Sequence, residues 1–513
     1  MSMDNFSRRD FLKLMGLSAT GAGLARLAPP HAQPRSGSDK PNVILLVLDA
    51  MTARNLSVYG YPRPTTPNLE RFAQRATVFH SHFSAGNFTS PGTASLLTGL
   101  LPWNHRALSR RSLVRRDLVK SSIFHSVGSD YFTLGYCQNL WADLFLRQFK
   151  SGLDLHVAPS AFSYKPQTVL ASHHLPNDSV MAYYVFDEFL LSTHQVMNPY
   201  PGSALLGYLD YSFGRSQREN RAGYEDYPYG LPSNSYYFYR HPEVFAGLTD
   251  LVTKTSAQAN PWFGYFHLYS PHGPYRARQQ FVGTMPPIQL EYKKRHILAA
   301  GHLTKEVILF ARDQYDEFIA DLDFELGKFF DNLKQAGILD NSYVIITSDH
   351  GEVFERGETG HGSPLLYDPV VRIPLMIAAP GQAERRDVFT PTSSTDLLPT
   401  LARLTGGTPP AETDGQLLPG FGGEGSDQRA VFSVVAKEDA SFHPIRSGTV
   451  SMIKGKWKLI YYTGYEKYPD QFELYDLEHD LEEKHNLLEG NPSAAPKLKA
   501  ELLAAFEKAN ARY

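Results

Sequence analysis

The residues of this chain best suited to chemistry are one hydroxyl-bearing turn and a handful of ionisable groups spread over three hundred positions. Thr89-Ser90-Pro91 reads as a turn opening a short apolar helix, Gly92 to Thr98, that ends at Gly99. Thr89 and Ser90 suit the N-cap, and Pro91 suits the first helical position. The unpaired N–H groups and positive dipole end of such a helix would receive a tetrahedral oxyanion, with a side-chain hydroxyl beside it as nucleophile. By itself the tripeptide serves equally well as a plain cap. Asp49 and the pair Asp349-His350 each directly follow an apolar run, and carboxylates with an imidazole can hold a divalent cation beside a hydroxyl. His272 sits in a Pro-His-Gly-Pro-Tyr turn after a third apolar run. His361, in Gly-His-Gly beyond the Asp349 loop, could give a proton or contact an anion. Asn87, two residues before Thr89, is grouped with His272 and His361 as a substrate contact.

These groups need a scaffold that gathers them. Asn42-Val-Ile-Leu-Leu-Val-Leu, Trp262-Phe-Gly-Tyr-Phe-His-Leu and Tyr343-Val-Ile-Ile-Thr-Ser are continuous apolar runs rich in β-branched and aromatic residues, the pattern of strands buried on both faces of a parallel sheet. Ligands of open α/β sheets bind outside the carboxyl ends of the strands, so Asp49, His272 and Asp349 are expected to share one crevice. Helical periodicity covers Thr66 to Ala76 and Asp313 to Gln335, the latter closed by Gly337. His267, inside the second run, reads as a satisfied core histidine, Arg372 as the partner of a carboxylate, and Glu352 as a residue orienting the site. Residues 150–245, rich in Tyr, Pro, Ser and Asn, read as an insertion over the rim of the site or an excursion packed outside it. The expected organisation is α/β: a catalytic domain over 41–425 and a smaller C-terminal α+β subdomain over 426–513. In the latter, Gly448 to Tyr462 and Phe472 to Leu477 read as antiparallel strands around Trp457, and Ala494 to Ala511 as a closing amphipathic helix.

With 513 residues, 42% of them apolar and 12% aromatic, the chain can fill a large core. A formal net charge of −3 leaves no basic excess for nucleic-acid phosphates or anionic lipid heads, so neither is an expected partner. The single cysteine, Cys137, excludes an intramolecular disulfide and a cysteine-rich zinc site. At the N-terminus, Ser7-Arg8-Arg9-Asp10-Phe11-Leu12-Lys13 precedes a weakly apolar stretch, Leu14 to Ala28, broken by Arg26. The pattern looks like a twin-arginine export signal over residues 1–32, cleaved after Ala32 and followed by a linker at 33–40. It implies recognition by the twin-arginine export machinery, a periplasmic or secreted mature protein, and no stable membrane anchor.

Several separate motifs together resemble the sulfatase family of the alkaline phosphatase superfamily. They are Pro41 to Asp49, Tyr59-Gly-Tyr-Pro-Arg-Pro-Thr-Thr-Pro-Asn-Leu, Thr89-Ser-Pro-Gly-Thr-Ala-Ser-Leu-Leu-Thr-Gly99, Ser270-Pro-His-Gly-Pro-Tyr275, Ser348-Asp-His-Gly-Glu352, Leu366 to Pro374, Lys456-Trp-Lys-Leu and Glu473-Leu-Tyr-Asp-Leu. The resemblance implies an alkaline-phosphatase-like fold and hydrolysis of ester bonds. It also exposes departures. Family sulfatases oxidise a Cys or Ser to formylglycine two residues before the proline and carry Arg two residues after it; here those positions hold Thr89 and Thr93. Oxidised threonine would be a ketone, so no formylglycine is expected. Ala50 stands at the family's second metal-binding Asp, and Gln138 at its sulfate-contacting Lys.

The remaining set, Asp49, Thr89, Asp349 and His350, is similar to the single-metal site of phosphoethanolamine transferases and lipoteichoic acid synthases, whose nucleophile is a metal-coordinated threonine. By that resemblance those four residues hold one divalent metal, Mn2+ first, with Mg2+, Zn2+ or Ca2+ as alternatives. Thr89 is then the nucleophile, His272 contacts the substrate's oxyanion or leaving group, and His361 shares that work. The implied substrate is a phosphate or phosphonate ester of a small molecule, a lipid headgroup or a glycan, with water or an alcohol resolving the intermediate. The rival expectations are sulfate-ester hydrolysis without formylglycine, and a catalytically inactive exported binding protein.

Overall fold

The computed structural model describes residues 40–110, 112–166, 225–234, 237–257, 261–288, 293, 295–299, 301–437, 442–466 and 468–513. The expected export signal, nearly all of the linker and the middle of the 150–245 segment lie outside the described residues.

Three apolar runs occupy the centre of one sheet. They are β1 (Asn42–Leu48), β5 (Trp262–Leu268) and β6 (Ser342–Thr347), with β1 between the other two and parallel to both. Around them lie β2 (Thr77–Phe79), β3 (Phe132–Cys137), β4 (Leu155–Val157), β7 (Leu375–Ala378) and β8 (Arg386–Val388). The order across the sheet is β8-β2-β7-β6-β1-β5-β3-β4, and only β7 pairs antiparallel to its neighbours. Strand β4 falls inside the segment expected to be an insertion, so that segment begins by completing the central sheet.

Side chains of β1 alternate between two cores, as strand geometry requires. Ile44, Leu46 and Leu48 join a cluster covered by α1 (Pro67–Ala73), α4 (His241–Ser256) and α5 (Lys305–Gln335), through residues such as Leu69, Phe245 and Phe318. Val43, Leu45 and Val47 join a second cluster with α2 (Thr89–Thr98), α3 (Leu140–Gln148) and α6 (Leu397–Thr405), through Leu96, Phe145 and Leu401. Helix α5 starts eight residues before the apolar periodicity that announced it, because its first turns carry charged and exposed residues such as Lys305, Glu306 and Phe310.

The C-terminal segment forms an antiparallel sheet of β9 (Val431–Val435), β10 (Gly448–Lys454), β11 (Trp457–Thr463) and β12 (Gln471–Asp476) in that order. Helix α7 (Ala495–Asn510) closes it with Leu498, Leu502 and Phe506. The stretch from Gly448 to Tyr462 is a hairpin that turns at Gly455, whose φ of +56° is a conformation glycine adopts without cost. No described helix is long and apolar enough to cross a membrane.

A buried ion pair ties this sheet to the catalytic side. Lys458 Nζ on β11 lies 2.5 Å from Glu483 Oε1, and both side chains are wholly buried. Glu483 also accepts from the Asp368 N–H through Oε2 at 2.7 Å and from Arg356 through its backbone carbonyl at 2.8 Å. Removing one partner of a buried pair strands the other charge. Glu483→Ala should therefore cost about 3–5 kcal/mol in urea unfolding; a loss no greater than that of a surface substitution would contradict the tie.

Candidate active site

The parallel register gathers the polar residues at one edge. Asp49 follows β1 and its N–H donates to Leu268 O at 3.0 Å, while Asp349 and His350 follow β6. Asp49, Asp349 and His350 are fully buried, with candidate ligand atoms all within 4.8 Å of one another. His350 Nε2 is 3.5 Å from Asp49 Oδ1 and 3.6 Å from Asp349 Oδ2. Helix α2 brings Thr89 against this group, its Oγ1 3.4 Å from His350 Nε2. That approach needs glycine at position 92, where a Cβ would stand 2.2 Å from the Asp349 carbonyl oxygen. Ser84 secures the same carbonyl by donating its hydroxyl to it.

The expected cap differs from the one found. Phe88 is the N-cap, in extended conformation and without a side-chain cap bond, and Thr89 is the first helical residue. The Thr89 hydroxyl is engaged by the site instead of its own helix. Asn139, the N-cap of α3, donates Nδ2–H to Thr89 Oγ1 at 3.3 Å and to Asp49 Oδ2 at 2.5 Å.

Two buried carboxylates side by side need compensation. Burial pushes Asp49 up, but the hydrogen bond from His267 and the charges of His272, His267 and His350 outweigh it and hold its carboxyl well below the usual range. Asp349 goes the other way: burial first and then the Asp49 charge raise it, against His350, His267 and the Ala50 N–H. Asp49 Oδ1, wholly buried, has no hydrogen-bond partner. An orphaned carboxylate oxygen facing a second carboxylate and an imidazole is what a divalent cation satisfies, so these residues fit the metal implied by the sequence.

Histidine tautomers agree. His350 Nδ1–H donates to Gly351 O at 2.8 Å, His272 Nδ1–H to Gly273 O at 2.8 Å, and His361 Nδ1–H to Glu352 Oε1 at 2.9 Å. Each ring so held, when neutral, carries its lone pair on Nε2. The rings of His350 and His361 lie 4.3 Å apart and those of His361 and His272 5.0 Å apart, forming one imidazole wall. Burial, then His272 and Lys437, push His361 well below its ordinary value, which favours the neutral ring. Glu352 is pushed up to about 7 by burial, against the charges of His272 and His350 and the Tyr275 hydrogen bond. Asn87 is buried against the wall's loop, where Nδ2 donates to Ser363 O at 2.8 Å and Leu365 O at 3.2 Å.

Two residues of the site escaped the motif reading. His267 is buried and satisfied, as a core histidine would be, but its Nε2–H donates to Asp49 Oδ2 at 3.3 Å while Nδ1 is hydrogen-bonded with the Tyr265 hydroxyl at 2.8 Å. Its position next to the last residue of β5, level with Val47 of β1, was the available signal. Gln138 turns away, accepting from the Tyr269 N–H, and the next residue, Asn139, reaches Thr89. Ala50 has φ +60°, so the chain keeps after Asp49 a left-handed turn that alanine adopts at some cost. Its N–H serves Asp349 Oδ1 and its carbonyl accepts from Tyr315 OH. Thr93, in place of the family's Arg, donates to Asp349 Oδ2 at 3.4 Å.

Comparison with known proteins agrees with this architecture. The profile described as "Sulfatase" matches residues 41–130 and 177–407, and one described as "N-sulphoglucosamine sulphohydrolase, C-terminal" matches 357–511. The chain belongs to the sulfatase family. It is 26% identical over 479 residues to the choline-sulfatase of Rhizobium meliloti (strain 1021), covering 88% of this chain and 83% of that one. It is 27% identical over 422 residues to N-acetylgalactosamine-6-sulfatase of Rattus norvegicus, covering 79% and 68%. Among solved structures, the phosphonate monoester hydrolase of Silicibacter pomeroyi superimposes with a TM-score of 0.62 at 20% identity, covering 91% of this chain and 96% of that one. The protein is thus a sulfatase-family hydrolase of ester bonds.

His267 anchors a carboxylate through the oxygen opposite the orphaned one. His267→Leu should weaken divalent-metal affinity about 10- to 100-fold in equilibrium dialysis; unchanged affinity would show that Asp49 needs no such support.

Proposed function

We propose that the protein is an exported, metal-dependent hydrolase that cleaves phosphate or phosphonate esters with Thr89 as nucleophile. The observation that carries this reading is Thr89 Oγ1 itself, an unoxidised hydroxyl 3.4 Å from His350 Nε2 and 3.3 Å from the Asn139 amide, at the position where the family places formylglycine. Asp49, Asp349, His350 and Thr89 would hold one divalent cation, which when bound lowers the pKa of a neighbouring hydroxyl and offsets charge on phosphoryl oxygens. Oxygen-rich donors favour Mn2+ or Mg2+.

The chain's own residues divide the remaining work. Thr89 attacks phosphorus in line, and its proton ends on the departing alcohol. His272 and His361, with Nε2 on one wall, take up the proton that Thr89 releases and hand it to the leaving oxygen. Glu352 keeps the His361 ring in its tautomer. Water then resolves the phosphoryl-threonine. The phosphonate monoester hydrolases on the same fold favour this ester class by analogy alone.

Sulfate-ester hydrolysis is the second reading, favoured by the names of the sequence relatives. An unmodified alkoxide can attack sulfur, but release of the sulfated enzyme then lacks the route that formylglycine provides. Turnover of bis-p-nitrophenyl phosphate, p-nitrophenyl phosphate and p-nitrophenyl sulfate should rank a phosphorus ester first. Sulfate in first place would overturn the assignment. Thr89→Ala should lower turnover about ten-thousandfold or more with the fold retained, and undiminished turnover would remove Thr89 from the chemistry.

The Arg8-Arg9 pair supports export of the folded protein by the twin-arginine route. Replacing both with Lys should retain the protein inside a twin-arginine-competent host, as fractionation would show; continued export would contradict that address.

A further inference from the structure

Asn139 is held in a way that a helix cap alone does not require. Its Oδ1 accepts from the Trp141 N–H at 2.9 Å, which fixes the carboxamide orientation and aims Nδ2 at Thr89 Oγ1 and Asp49 Oδ2. The side chain is 1% exposed, so neither N–H bond competes with solvent. An acceptor at Thr89 Oγ1 that gains negative charge would strengthen its bond to the amide.

We propose that Asn139 is a catalytic residue whose amide stabilises Thr89 Oγ1 as the leaving oxygen when the covalent intermediate breaks down. This rests on the phosphoryl-threonine reading and assigns a residue to its second half. In the first half the phosphorus–Oγ1 bond forms, the substrate's phosphorus–oxygen bond breaks with its electron pair on the departing oxygen, and the Thr89 proton ends there. In the second half a water oxygen bonds to phosphorus and the phosphorus–Oγ1 electron pair returns to Oγ1. One water proton ends on Oγ1 and the other remains with the phosphate product or solvent. The bond Asn139 already makes in the resting state lies on the atom whose charge rises in that second displacement.

Asn139→Ser and Asn139→Ala both remove the amide donor, but only Ser keeps a capping oxygen. With bis-p-nitrophenyl phosphate, both variants should lose about a hundredfold in steady-state turnover. Both should show a burst of one nitrophenolate per active site, and after rapid quenching a p-nitrophenylphosphoryl mass should accumulate on the peptide bearing Thr89. Metal content should match wild type. Slow turnover without burst or adduct would confine Asn139 to the first step and overturn the proposal. Loss of metal would do the same by reducing Asn139 to a support for Asp49. Slow turnover in Asn139→Ala alone would reduce it to a cap. If wild type and variants all turn over the ester and Thr89 never carries phosphoryl, even in quenched samples, the nucleophile reading fails and takes this one with it.

Discussion

Asp49 and Asp349 are two carboxylates buried beside one another, and the rest of the site is arranged around making that tolerable. Burying charge out of water costs several kcal/mol per ion by general estimate, and a second charge of the same sign adds to it. The compensation comes from several elements that meet at this edge of the sheet. The His267 imidazole on β5 and the Asn139 amide after β3 serve Asp49, while the Ala50 N–H and the Thr93 hydroxyl serve Asp349. One oxygen, Asp49 Oδ1, is left without a partner, and His350 and Thr89 face the same space. A divalent cation there would complete a balance that protein groups alone leave one oxygen short.

The departures from the family concentrate on the same few ångströms. Threonine at 89 precludes the aldehyde, threonine at 93 stands in place of a guanidinium as a neutral hydroxyl, and alanine at 50, in a left-handed turn, stands in place of a carboxylate. These changes put neutral side chains around the Thr89 hydroxyl where the family carries charged ones. The fold and the ester-bond class are shared with sulfatases, and the local chemistry is what separates this chain's proposed substrates from theirs.

How much of this was legible in the sequence depended on whether local patterning or long-range register carried the information. Strands β1, β5 and β6 stood out because burial on both faces makes them continuous apolar runs, and their order of use placed Asp49, His272 and Asp349 together. Helix α5 was found from its buried half and lost its charged first turns. The residues whose part in the site was not legible all have a bland explanation in isolation. His267 sits within an apolar strand, Asn139 looks like an ordinary cap, and Thr89 looked like a cap while Phe88 in fact holds that position. Only the pairing of β1 with β5 and of β5 with β3 puts Val47, His267 and Cys137 at one level, and so brings His267 and Asn139 to the carboxylates. The boundary of the 150–245 segment was likewise set by pairing, since the three-residue β4 has too little pattern to announce itself.

The central claim is that Thr89 takes the phosphoryl group before water does, and the stereochemical course at phosphorus tests it most directly. Hydrolysis of an ester made chiral at phosphorus with sulfur and oxygen isotopes should proceed with net retention, the result of two in-line displacements. Net inversion would mean that water attacks the ester directly, and would contradict a covalent role for Thr89.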